Sequence, residues 1–399
     1  MLERLDRLPD DPILGLMAAF RADPDASKVD LGVGVYRNDR GETPVVGAVR
    51  RAEEAVLARQ ASKTYVAPAG NAGFNQAMEK LVLGDGHPVL TAGRVRTIQG
   101  PGGSGALRLG AELIRAASPQ AIVHVPTPTW ANHIPLLSGN GLELAQYPYF
   151  DGATGTVNFN EMQAALDKLP ARSVVVLHAS CHNPTGADLT DAQWRDLLPV
   201  FQKRGLLPFI DMAYQGLGTG LAEDAYGVRL FAEGLPELLI ASSCSKNFGL
   251  YRERTGSLHV VNENKTAADA VLSQLVRIAR RIYSMPPDHG AAIVLEILSS
   301  EVLTRSWTEE LTGMRKRIQG LREESVRRLS AAYPQRDFSY IARQKGMFSY
   351  LGVDAAQVRA LREKHHVYMT DDSRINIAGL RAENIGYFAE AVAKVLKGS

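Results

Sequence analysis

The sequence predicts an α/β protein, with a large domain around a mainly parallel seven-stranded sheet and a smaller α/β domain. Three observations predict this. From about residue 50, short runs rich in Val, Ile and Leu alternate with helix-like stretches, the pattern of strands covered on both faces. Helical stretches between several of these runs supply the crossovers that parallel strands need. A long helix-like stretch at about 301–333 then leads into a block with strand-like runs of its own. The expected division is 44–313 for the large domain, 12–43 and 314–399 for the small one, and 1–11 for an N-terminal arm.

In chain order, DPILGLMAAFRADP (11–24) reads as a short amphipathic helix, and KVDLGVGVYRNDRGETPVV as an extended, glycine-punctuated segment. The strand candidates are RVRTIQ (94–99), AIVHVP (121–126), LELAQYPY (142–149), SVVVLHA (173–179), LLPFIDM (206–212), LLIASSCS (238–245) and GSLHVV (256–261). Helices are expected at 105–117 and 190–204, and FSYIA, MFSYLG and SRINIAG are the strand candidates of the C-terminal block.

With 399 residues, 45% of them hydrophobic, the chain can bury cores for two domains. A net charge of +2 and the lack of basic runs interleaved with aromatics argue against nucleic acid. No apolar run reaches the roughly 18 residues of a membrane span, and the charged start MLERLDRLPD has no apolar core of a secretion signal. A cytoplasmic protein is expected. Cys181 and Cys244 are too few for a zinc site and read as inert fillers in a reducing compartment. No metal is expected.

In open parallel sheets, ligands bind at the carboxyl ends of the strands. GPGGSG (100–105) follows the first strand. Its glycines allow close backbone approach, and the helix N-terminus behind it offers N–H donors to an anion. Taken alone, the motif is a weak signal and reads first as a tight turn. A dinucleotide site also wants an acid at the end of the next strand, and VPTPTW has none before Asp151, which leaves a phosphate of another kind. After SVVVLHA comes Asn183, held extended by Pro184; alone it would be an ordinary turn. LLPFIDM ends near Asp211, with Tyr214 beyond. An acid in such a setting is costly unless paired, so it is a cap, an ion pair or the partner of a cationic ring nitrogen. LLIASSCS runs into Lys246, with Ser243 and Arg254 flanking it. A lysine there is a solvated surface group or, if desolvated, a nucleophile. Jointly, these strand ends carry the groups that hold pyridoxal 5'-phosphate.

With those residues in place, the chain resembles the class I aminotransferases of the aspartate/aromatic amino acid subgroup, of pyridoxal-phosphate fold type I, over essentially its whole length. The matching stretches are DPILGLMAAFRAD, LGVGVYRNDRGETPV, KTYVAPAG, GGSGALR, CHNPTGA, DMAYQG, ASSCSKNFGLYRERTG, YSMPPDHGA, GMFSYLG and SRINIAGL. The resemblance implies that Lys246 binds the cofactor covalently and shuttles the substrate proton. Asp211 would pair with the ring nitrogen, supported by His178, and Tyr214 and Asn183 would hold the ring oxygen. Gly102, Gly103, Ser104, Ser243 and Arg254 would bind the phosphate, and Trp130 would stack on the ring. Tyr65 would reach the phosphate of a neighbouring subunit, so a homodimer with shared sites is implied. Arg374 would clamp the substrate α-carboxylate, Arg280 would cross the dimer interface to a side-chain carboxylate, and Val33 and Gly34 would close over the substrate. His133, His289, His365 and His366 read as structural or surface residues.

The reaction implied is ping-pong transfer of an amino group to 2-oxoglutarate. Ser104, Thr64 and Met285 stand where aspartate enzymes usually have threonine, asparagine and asparagine. Those linings imply that Phe, Tyr and Trp serve as donors beside aspartate. The alternatives are a strict aspartate aminotransferase, a lyase or decarboxylase using the same cofactor, and a non-catalytic binding module.

Overall fold

The computed structural model describes residues 2–7 and 12–398. Of the expected N-terminal arm, residues 1 and 8–11 lie outside the described residues, and Leu2–Arg4 form a 3-10 turn. The first helix spans Pro12–Ala22. The extended segment after it contributes the two-residue strand Val29–Asp30 and otherwise runs without regular structure to residue 46.

The chain folds as two compact units: Thr43–Arg317 with Gln344–Gly346, and Met1–Glu42 with Ile318–Arg343 and Met347–Ser399. The larger unit is built on seven strands: β1 (Val95–Pro101), β2 (Ile122–Thr127), β3 (Glu143–Pro148), β4 (Val174–His178), β5 (Leu207–Met212), β6 (Leu238–Ser243) and β7 (Thr255–Val261). They are ordered β1-β7-β6-β5-β4-β2-β3 among the described residues. The pairs among β2 to β6 are parallel, whereas β7 runs antiparallel to both β1 and β6. Each of the seven strands expected for this sheet is present, with its ends within two residues.

One face of the sheet carries Ile98, Val125, Val176, Phe209, Ala241 and Leu258 against α1 (Gly102–Ala117) in the main apolar core. Each fully buried Val, Leu, Ile or Phe of this kind contributes about 1.5–3 kcal/mol. The close approach of α1 depends on Gly110, where a Cβ would lie 2.3 Å from Phe209 Cζ. The alternate residues Thr255, Ser257 and His259 of β7 are polar. His259 Nδ1 lies 2.8 Å from Thr97 Oγ1 and its Nε2 lies 3.0 Å from Ser257 Oγ. Burial lowers the pKa of His259 to about 3, so the ring is neutral and each nitrogen has a hydroxyl partner.

The smaller unit contains a parallel pair, Val29–Asp30 with Val367–Tyr368, and an antiparallel pair, Phe348–Tyr350 with Arg374–Asn376. FSYIA, expected as a strand, is instead part of the short helix Tyr340–Arg343. The reason is local: Asp337 accepts from Ser339 N at 2.7 Å and Ser339 Oγ at 2.8 Å, which starts a turn rather than a strand. SRINIAG is a strand only over Arg374–Asn376, because Asn376 then caps a 3-10 turn at Ile377–Gly379. Residues 344–346, placed with the small domain from sequence, belong to the larger unit. There Gln344 Nε2 donates to Gly155 O at 2.9 Å and Lys345 N donates to Gly186 O at 2.8 Å. The unit boundary at Arg317 falls inside the continuous helix Glu301–Ala332. No helix of the described residues is long and apolar enough to cross a membrane.

Candidate active site

β1 ends at Pro101 and α1 begins at Gly102, so strand and helix meet with no loop between them. Gly102 makes the corner at φ +72°, a conformation that a side chain would strain. Its backbone lies against Arg254, since a Cβ on Gly102 would sit 2.4 Å from Arg254 Nη2. A Cβ on Gly103 would meet Ser243 Cβ at 3.1 Å. The sheet explains this convergence: β7 pairs Gly256 with Gly100 on one side and with Ser243 on the other. Arg254, next to the start of β7, is therefore delivered to the N-terminus of α1. Unpaired helix N–H groups, a guanidinium and a serine hydroxyl make a cradle that fits a phosphate.

Asp211 lies in β5, in register with His178 of β4, and is buried. Its direct partner is His133, whose Nε2 stands 3.0 Å from Asp211 Oδ2. Thr129 Oγ1 lies 2.7 Å from His133 Nδ1 and 3.4 Å from His178 Nε2. An ionised Asp211 can only accept, so His133 donates to it from Nε2. Burial pushes the Asp211 carboxyl up, but the His133 hydrogen bond, with His133, His178 and Lys246 close by, outweighs it and holds the group below the usual carboxylate range. Burial, with His182 and His133 alongside, keeps His178 well below the usual histidine range and hence neutral.

These contacts revise the expected roles of the two histidines. His178 stands one step back, behind Thr129, and His133, expected to be structural or on the surface, makes the hydrogen bond to Asp211. His133 is fully buried at the start of the helix His133–Ser138. The available clue was its position: it follows Thr129 and Trp130 by one helical turn in the crevice after β2. The Trp130 ring stands edge-on to His133, with centroids 5.3 Å apart.

Lys246 follows β6, with its Nζ 4.8 Å from the centre of the Tyr214 ring. Burial lowers its pKa to about 8; the Asp211 charge opposes the shift and that of Arg254 assists it. The loop that carries Lys246 is fixed by Trp307, whose Nε1 donates to Asn247 O at 2.8 Å and whose ring stacks on Phe248 at 4.3 Å. Asn183 and Tyr214 are buried, and Ser104 and Trp130 are half-buried. Cys244 is buried, its thiol pushed up by that burial.

The smaller unit gathers a second group of residues. Arg374 is buried, donates through Nη2 to Gly32 O at 2.7 Å and lies 4.6 Å over the Phe348 ring. The same ring presses on Gly34, where a Cβ would be 2.8 Å from Phe348 Cζ. Asn376 Nδ2 holds the segment by donating to Val33 O at 2.6 Å and Val35 O at 2.8 Å. Other expected site residues lie outside both groups. Arg280 is exposed and bonded to Ser284 Oγ, and Tyr65 is 88% exposed.

The sequence model of the aminotransferase class I and II family matches residues 26–392. The chain is 45% identical to an aromatic-amino-acid aminotransferase of Escherichia coli K12, over 99% of this chain and 100% of that one. It is 43% identical to an aspartate aminotransferase of Pseudomonas aeruginosa, again over 99% of this chain and 100% of that one. Among solved structures, the aromatic-amino-acid aminotransferase of Burkholderia pseudomallei, covalently bound to pyridoxal phosphate, superposes with a TM-score of 0.97 at 46% identity, covering 99% of each chain. The chain belongs to the class I and II aminotransferases, enzymes that work with pyridoxal phosphate.

Proposed function

We propose that this chain is a cytoplasmic, homodimeric transaminase that moves the amino group of Phe, Tyr, Trp and aspartate to 2-oxoglutarate in a ping-pong cycle. The observation that carries the reading is the set of groups in the larger unit. A lysine with its pKa brought down to about 8, a buried acid held ionised and a glycine–arginine cradle suit one cofactor. Pyridoxal phosphate supplies the aldehyde that takes up the amine and a ring that accepts the electron pair left at the substrate Cα.

The chain's own residues then have distinct tasks. The α1 N-terminus, with Gly102, Gly103, Ser104, Ser243 and Arg254, binds the phosphate. Trp130 covers one face of the ring, while Asn183 and Tyr214 donate to its oxygen. Asp211 keeps a proton on the ring nitrogen, and His133 keeps Asp211 charged. Lys246 anchors the cofactor until an amino donor displaces it, and its freed amine then moves the proton at the substrate Cα. A pKa near neutrality suits a group that must give and take one proton in turn.

Arg374 is the proposed clamp for the α-carboxylate, in the bidentate geometry that a guanidinium offers. Gly34 and Val33 form the segment proposed to close over the substrate. Arg280 and Tyr65, exposed on the single chain, are proposed to serve the neighbouring subunit's site. Two features support the substrate breadth. The relatives named for aromatic amino acids and for aspartate are about equally similar, at 45% and 43% identity. Ser104, Thr64 and Met285 also depart from the pattern of the aspartate enzymes. The test is a half-reaction. Donor alone, without 2-oxoglutarate, converts the bound cofactor stoichiometrically to pyridoxamine phosphate, and Lys246→Ala lacks the near-UV/visible band of the native protein. Decarboxylation or β-elimination instead of that conversion overturns the transaminase reading.

A further inference from the structure

Asp188 and Asp224 stand behind the site. Asp188 accepts from Cys181 N at 2.7 Å through one oxygen and from His182 N at 2.8 Å through the other. Those peptides lead directly into Asn183. Asp224 accepts from Gly216 N at 2.8 Å, Gly218 N at 2.9 Å and Thr219 N at 2.8 Å. Those peptides belong to the turn that follows Tyr214. A carboxylate can take two or three N–H donors from one turn, whereas the amide of asparagine offers a single acceptor oxygen.

The two turns touch. A Cβ on Gly218 would lie 2.6 Å from Asp224 Oδ1 and 3.1 Å from Cys181 Sγ. Cys181 itself is held at φ +53°, and on another side it packs on Gly346, where a Cβ would be 2.4 Å from Cys181 Cβ. A non-glycine residue keeps that conformation only where its surroundings enforce it. The arrangement has an electrostatic cost. Burial raises the Asp188 carboxyl to about 6 against the pull of its two N–H bonds and of Lys345, and the Asp224 charge adds to the rise. Burial raises Asp224 likewise. The groups facing Asp188 are Lys345, Asp224 and Tyr149, and the adjoining His182 is neutral, with its pKa lowered to about 3 by burial first and His133 second.

We propose that Asp188 and Asp224 are positioning residues for the reaction, each clamping the turn beside one of the two side chains, Asn183 and Tyr214, that donate to the cofactor's ring oxygen. The proposal rests on the reading of Asn183 and Tyr214 given under Proposed function. Asp188 sets Asn183 through the left-handed Cys181, Asp224 sets Tyr214 through the 216–219 turn, and the Gly218–Cys181 contact couples them.

The test uses holoenzyme reconstituted with pyridoxal phosphate and follows the pH titration of its visible band, whose midpoint depends on the donors to the ring oxygen. Native chain, D188N, N183A and D188N/N183A are compared, and D224N is paired with Y214F in the same way. D188N is expected to move the midpoint in the same direction as N183A, by about half a pH unit, as partial loss of one hydrogen bond requires. The double variant is expected to move it no further than N183A alone, since both changes act on one donor. A midpoint unmoved in D188N, or shifts that simply add, overturns the proposal even if the melting temperature falls, because a merely structural carboxylate would lower the melting temperature without touching the chromophore. If D224N fails to fold, the D188N cycle decides alone. A native chain without a band, or an N183A midpoint equal to the native one, overturns the assignment of Asn183 and this proposal with it; a shifted N183A beside an unshifted D188N overturns this proposal only.

Discussion

Lys246 loses much of its water at the end of β6, and that burial lowers its pKa from 10.5 to about 8. In the cofactor-free protein, the folded state releases this proton near pH 8, while the unfolded chain keeps it up to the ordinary lysine value. The cost of burying the charge is therefore fully present below about pH 8 and is relieved as pH rises through that window. Cofactor-free Lys246→Met is expected to melt higher than the native chain below the window, with the difference shrinking as pH rises from about 8 toward 10.5. Thermal melts on either side check this, and a difference independent of pH contradicts it. On the proposed reading, His133 acts through Asp211. A hydrogen bond to a charged group is worth about 1.5–3 kcal/mol, so His133→Leu should lower kcat by about 10–100-fold, with a smaller effect for His178→Leu. Equal losses in the two variants would contradict the order of contacts seen here. Lys246 and Asp211 were legible in the sequence because a charge at the end of an apolar strand is conspicuous. The role of His133 was not, since its bond to Asp211 spans 78 residues and depends on how the helix after Trp130 packs beside β5.

At the scale of an element, the β1–α1 junction joins strand to helix without a loop, and the proposed phosphate site rests on it. The glycines remove side chains where Arg254 and Ser243 must approach, and the helix supplies the N–H groups. Gly102→Ala places a methyl against Arg254 at a positive φ, a strain of about 1–3 kcal/mol. The expected result is a rise of about tenfold or more in the dissociation constant of the cofactor, measured by titrating cofactor-free protein with pyridoxal phosphate; unchanged affinity would remove the junction from the site. The strands of the large sheet were readable because runs of Val, Ile and Leu covered on both faces have few other uses. FSYIA misled because its apolar residues suit a short strand, while the deciding hydrogen bonds come from Asp337, just outside the segment. The capture of residues 344–346 by the larger unit rests on one side-chain and one backbone bond to the carbonyls of Gly155 and Gly186, which leave no trace in composition.

For the whole molecule, the proposed homodimer decides which chain completes which site. Arg280 and Tyr65 are exposed on the single chain, and the proposed homodimer gives each a place in the neighbour's site. Mixing Lys246→Ala with Arg280→Ala chains under subunit exchange tests this. A site built from two chains regains a native copy in the mixed dimer, so activity toward aspartate should return although each parent is inactive toward it. If Arg280 serves its own chain, every site in the mixture carries one defect and no activity returns. The resemblance carried by motifs along the whole chain made the family legible, but the sharing of sites depends on a surface that a single chain leaves open.

The central claim is that one site accepts both aromatic and acidic amino donors through Lys246. Its most direct test is kcat/KM for phenylalanine and for aspartate, each with 2-oxoglutarate and the native holoenzyme. The predicted result is turnover of both donors, with a phenylalanine-to-aspartate ratio above roughly 10⁻³ and loss of both activities in Lys246→Ala. A ratio below that value would contradict the claim and leave a strict aspartate aminotransferase.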